Sequence, residues 1–85
     1  MNKRKVAYLR RCGSFSDGIP IETDRGWEEV IRTILSVDSL VIDGGCSDPD
    51  TSLIAFLARL LDKEVYWVGQ RPKGLLAKLV TGRFQ

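Results

Sequence analysis

Residues 37–68 read VDSLVIDGGCSDPDTSLIAFLARLLDKEVYWV, and this stretch decides the fold. Leu40-Val41-Ile42 is an unbroken apolar run ending at Asp43-Gly44-Gly45. A run without alternation is the mark of a strand covered on both faces. Asp48 suits a helix cap, Pro49 the first helical position and Asp50 the positive end of the helix. Leu53, Ile54, Leu57, Ala58, Leu60 and Leu61 then recur at helical spacing and predict a wide buried stripe. Phe56 falls near Arg59 on the wet flank, a hint of a subunit contact. Residues 64–68, rich in Val, Tyr and Trp, predict a further strand. Strand, polar loop, helix, strand is the unit that places a ligand-binding loop at the carboxyl end of a buried strand.

Working outward, Val6-Ala7-Tyr8-Leu9 predicts a first strand over 5–10. Residues 11–22 hold Gly13, Ser14, Ser16, Asp17, Gly18 and Pro20 and read as a loop of about a dozen residues, a length often tied to function. Thr23 or Asp24 can cap a second helix over 24–36, whose apolar stripe is Trp27, Val30, Ile31, Ile34 and Leu35. Residues 69–73 turn the chain, and Leu75, Leu76, Leu79 and Val80 predict a short last helix over 74–81. Trp67 and Trp27 are read as core rather than base-stacking platforms.

Bulk properties bound the outcome. The chain has 85 residues, 44% hydrophobic and 28% charged, with a net charge of +2. That composition fits one globular domain over 1–85, too small to enclose a deep site in a single copy. Lys3, Arg4, Lys5, Arg10 and Arg11 crowd the start, and Glu22 to Glu29 is acidic. There is no histidine, which removes Ser-His and Cys-His catalysis and most zinc sites. Cys12 and Cys46 match no metal spacing and read as small buried hydrophobes. Without a leader or a membrane-length apolar run, the expected location is cytoplasmic with reduced thiols.

The predicted architecture is therefore α/β, with a parallel three-stranded sheet, three helices and right-handed crossovers. Strands in chain order would put the first two helices on one face and leave only the last for the other. Part of one face would then be bare, and a homodimer or a protein partner would hide it.

From Asp43 to Val65 the chain resembles the nucleoside 2-deoxyribosyltransferase family and its Rossmann-like relatives; with the N-terminal strand ending in a Gly-containing loop and the helix leading into Val37-Asp38-Ser39-Leu40, the similarity covers roughly 60 residues. Asp43-Gly44-Gly45 matches the family's acidic, glycine-rich loop, and Thr51 its helix-opening Thr. Ala58, Leu61, Lys63 and Val65 fall in register with its Ala, Leu, Lys and Val. One strand-helix unit of the full-length family has no counterpart. The resemblance implies a small Rossmann-like domain. It also implies that Ile54 stands at the family's catalytic Glu, where it cannot form the covalent glycosyl intermediate. Phe56 and Asp50 replace two of its glycines.

Expected ligand contacts are Arg10, Arg11, Ser14, Asp17, Gly44, Gly45, Asp50, Thr51 and Arg71. The arginines come from two strand ends and can converge with a helix start on an anion. Asp43 and Asp48 are the candidates for relocated acid–base work, and with Asp17 and Asp50 for holding Mg²⁺. Their simpler reading is as caps and turn stabilisers. No cofactor is expected. Three functional readings stand: a catalytically silent deoxyribosyltransferase-like domain that binds a nucleotide-like ligand or a protein; a small viral or mobile-element inhibitor or adaptor acting by surface contact; and an active nucleoside or nucleotide N-glycosidase. Nucleic-acid binding ranks below these, and no membrane partner is expected.

Overall fold

The computed structural model describes residues 5–9, 17–45 and 49–84. They form a mixed α/β domain around one parallel sheet of five strands, not three. The strands are β1 (Val6–Leu9), β2 (Ile19–Ile21), β3 (Ser39–Asp43), β4 (Glu64–Val68) and β5 (Gly82–Arg83). Helices α1 (Trp27–Leu35), α2 (Pro49–Leu60) and α3 (Leu75–Leu79) alternate with the later strands. The spatial order is β2-β1-β3-β4-β5.

The two strands that sequence reading missed are the two edges. β2 is three residues with Pro20 at its centre, and β5 is two residues beginning with Gly82. Neither is long enough to show a period. A proline belongs on an edge strand, where a missing N–H breaks no ladder, and so short an edge offers little template for another chain. β2 lies inside the segment expected to be all loop, pairing Ala7 with Ile19 and Leu9 with Ile21.

The extra strands also change the helix layer. β5 makes α3 a crossover helix between two parallel strands, as α2 is between β3 and β4. Steps from β2 to β3, β4 and β5 all run the same way across the sheet, so right-handed connections place all three helices on one face. The packing agrees: α2 contacts both α1 and α3. The expected split, with the last helix on the opposite face, is therefore corrected. Among the described residues, no helix covers the second face.

The core fills the space between sheet and helices. Ala7, Leu9, Leu40, Ile42 and Val65 meet Val30 and Ile34 of α1, Ile54, Ala55 and Ala58 of α2, and Leu76 of α3. Residues Ser39 to Ile42 are buried in succession, as the unbroken run at the centre of the sheet requires. On the second face Tyr8, Val41 and Tyr66 stand in register. The Tyr66 ring is 6.1 Å from that of Phe84, and its hydroxyl contacts the Glu64 carboxylate.

Two helical expectations change. The stretch 24–36 is not one helix: Thr23–Arg25 forms a 3₁₀ turn, and Gly26 at φ +97° separates it from α1. Neither Thr23 nor Asp24 caps α1, and Trp27, at its first position, is 40% exposed rather than core. The buried positions of α2 are Thr51, Ile54, Ala55 and Ala58, while Leu53 and Leu60 face water.

Thr81 ties the last strands together. Its hydroxyl accepts the Val65 N–H at 3.1 Å and an Arg59 guanidinium N–H at 3.1 Å. Val65 is fully buried, so a Thr81→Val change orphans a buried amide at a cost of about 1–3 kcal/mol. Urea unfolding should show that loss, and an unchanged midpoint would contradict it.

Candidate functional site

β1 and β3 are neighbours whose chains leave in opposite directions, β1 toward β2 and β3 toward β4. In a sheet of this order, ligands sit outside the carboxyl ends of the strands near that reversal. The described part of this rim consists of the loops after β3 and β4 and the start of α2.

The β3 loop is built by its own side chain. Asp43 Oδ1 accepts the Gly45 N–H at 2.9 Å, an Asx-type turn that bends the chain sharply after the strand. Gly44 donates its N–H to Val68 O at 3.1 Å, locking the loop to the end of β4. Contact between the two loops is so close that a Cβ on Gly44 would lie 1.8 Å from the Gln70 carbonyl oxygen and 2.9 Å from the Pro72 ring. Gly69, at φ +71°, reverses the chain after β4, and a Cβ there would sit 3.3 Å from Asp43 Oδ1. Asp43 is thus held inside the loop scaffold as a turn former.

Between these loops lies an open cavity of about 350 Å³. It is lined by Gly44, Gly45 and Gln70 of the two loops, Ser52 of α2, the cations Arg71 and Lys73, and the apolar Leu75 and Leu76. Both of its ionisable lining groups are cations. Among the described residues, no ion pair engages Arg71 or Lys73. The Ser52 hydroxyl and the Gln70 side-chain amide beside these two cations make a surface suited to a carboxylate or phosphate.

Of the expected ligand contacts, the structure brings together Gly44, Gly45 and Arg71. Thr51 is buried against the body, and Asp50 is half-buried and does not line the cavity. Asp17 is exposed before β2, also off the cavity. Arg10, Arg11, Ser14 and Asp48 lie outside the described residues, as do Ser16, Cys12 and Cys46. No cluster of three carboxylate or thiol groups able to hold a metal exists among the described residues.

Ser52, Gln70 and Lys73 are the cavity residues that sequence reading missed. The polar run Gln70-Arg71-Pro72-Lys73 between a strand and a helix was their available signal. Ile54, the residue that the resemblance would set at a catalytic Glu, is fully buried in the core and does not line the cavity. The residue of α2 that does is Ser52.

A second cavity of about 340 Å³ lies between β2 and α1, lined by Pro20, Glu22, Arg25, Glu29 and Thr33 among others. Its arginine is already bound to Glu22 at 3.0 Å, so it offers an anion little. Among the described residues, no helix is long and apolar enough to cross a membrane. No protein-family model, curated protein or solved structure matches the chain.

Proposed function

We propose that the chain is a non-catalytic binding module for a small anionic ligand of the nucleotide class, held between the β3–α2 and β4–α3 loops. The observation that carries this reading is the pairing of Arg71 and Lys73, neither of which has a carboxylate partner among the described residues, in the lining of a cavity at the carboxyl edge of the sheet. A phosphate would take the two cations and the Ser52 hydroxyl. A base or sugar would lie over Leu75 and Leu76. The resemblance to deoxyribosyltransferases supports a nucleotide over other anions. Catalysis by the family's route lacks its nucleophile, and Asp43 spends its carboxylate on the Gly45 amide.

Thermal shift with deoxynucleoside and ribonucleoside monophosphates tests this, with inorganic phosphate and free nucleosides as separate arms. A ligand at 100 times its Kd adds about 2.7 kcal/mol, which raises the Tm of a domain this size by roughly 10–20 °C. Arg71→Ala should abolish most of that shift while leaving the unliganded Tm within a few degrees. A flat response across the nucleotides, or a shift indifferent to Arg71→Ala, would defeat the proposal.

A further inference from the structure

The outer side of α2 is apolar where a surface helix carries charge. Within its twelve residues the only ionisable groups are Asp50 and Arg59. Leu53, Phe56 and Leu60 are 44%, 45% and 65% exposed. They lie at i, i+3 and i+7, directly opposite the buried Ile54 and Ala58. α1 makes the contrast, with the ion-paired Glu28 and Arg32 on its outward side.

The apolar strip continues onto both neighbouring helices. Leu75 shares a cavity with Ser52, so it lies beside the first turn of α2, near Leu53. α1 turns Glu29 and Thr33 toward the β2 groove, which leaves Leu35 on its α2 side. Both helices end at the same edge of the sheet, so Leu35 is level with Leu60. Leu35, Leu60, Phe56, Leu53 and Leu75 thus form a diagonal ridge across the helix layer, each about half exposed. Such a ridge is on the order of 500 Å² of apolar surface, at the upper range for the largest patch on a monomer. With a rim of ordinary width it reaches the ~800 Å² per partner of a stable interface.

Charge on the two rims is complementary. On the α1 side Glu22, Asp24, Glu28 and Glu29 stand against Arg25 and Arg32, a net charge of −2, with Glu22, Arg25 and Glu29 on the outer border toward the β2 groove. On the α3 side stand Arg59, Lys63 and Lys78 against Asp62. A two-fold axis along the ridge stacks ridge on ridge and turns each acidic rim onto the partner's basic rim, which is the isologous arrangement of a closed dimer. A lipid surface would want cations on both flanks; here one flank is acidic.

We propose that the α1–α2–α3 face is a homodimer interface, with Phe56 near its centre. This stands independently of the ligand proposal, since the ridge and the cavity share only Leu75. The test is sedimentation equilibrium on the purified chain from 1 to 200 μM. The wild type should fit a monomer–dimer equilibrium. Phe56→Asp and Leu60→Asp, at exposed positions, should each weaken it at least 100-fold with an unchanged circular dichroism spectrum. Lys78→Glu should weaken it at least several-fold, and Glu28→Lys added to Lys78→Glu should restore part of the loss. A wild-type monomer at 200 μM overturns the proposal. So does open-ended assembly, or a dimer that both aspartate variants leave intact.

Discussion

Gly44→Ala should be among the most damaging small substitutions in the chain. The added methyl would stand 1.8 Å from the Gln70 carbonyl oxygen, less than any non-bonded carbon–oxygen contact allows. That oxygen is backbone, so no rotamer change relieves the clash; one of the two loops must move by more than an ångström. Moving either breaks the Gly44 N–H to Val68 O bond and unseats the wall of the cavity. The expected loss is about 3 kcal/mol, at the top of the usual overpacking range. For a domain of this size that lowers the Tm by roughly 12–24 °C.

Two neighbouring comparisons make the test sharp. Gly45→Ala would meet the Gln70 side-chain oxygen at 2.8 Å, a group at the end of a flexible chain that can swing away at a cost below about 1 kcal/mol. Gly82→Ala meets nothing within 4 Å and should fall within about 0.5 kcal/mol of wild type. Thermal unfolding by circular dichroism should order the three as 44 far worse than 45, and 45 no better than 82. A Gly44→Ala protein melting within 3 °C of wild type would show that the two loops are not packed as described.

How much of this was readable beforehand depends on the range of the forces involved. β4 occupies the predicted residues, and β3 and α2 begin within two positions of theirs, because runs such as Leu40-Val41-Ile42 and signals such as Pro49 act locally. The edge strands were not readable. Ile19-Pro20-Ile21 is extended because it pairs with β1, and Gly82-Arg83 because it pairs with β4; both are too short to show a period, and Pro20 and Gly82 read as turn residues. Missing β5 was enough to send α3 to the wrong face. In α2, periodicity found the apolar residues but not which side would be covered. Ala55 and Ala58 let the helix lie close on the sheet, so Leu53 and Leu60 are left outside. At the site, Gly44, Gly45 and Arg71 were legible as residues following strand ends. Gln70 and Lys73 lie in the turn predicted over 69–73, but that they meet the β3 loop and Ser52 depends on tertiary packing that the local pattern does not give.

Ile54 is the residue at which the resemblance can be tried against the structure, and Ile54→Glu is the trial. If position 54 faced a ligand, a glutamate there would be solvated and tolerated, and the family's chemistry would regain its nucleophile. The structure puts the side chain at 0% exposure inside the core shared by the sheet and all three helices. A carboxylate in that place has no described partner. Whether it stays charged or takes up a proton, the penalty is several kcal/mol. The whole domain has a stability of only ~4–13 kcal/mol at typical values per residue. The variant should therefore be largely unfolded or lose most of its urea resistance, and should release no free base from nucleosides. Ile54→Ala should cost about 2–5 kcal/mol and Ile54→Val about 0.5–1.5 kcal/mol, as for any fully packed isoleucine. Ser52→Glu, two residues away and on the other side of α2 beside the cavity, should fold with near-normal stability and lose anion binding, because it sets a negative charge beside Arg71 and Lys73. A well-folded Ile54→Glu protein that cleaves nucleosides would mean that the α2 start opens onto the ligand at 54 rather than at 52, and the binding site would have to be redrawn around it.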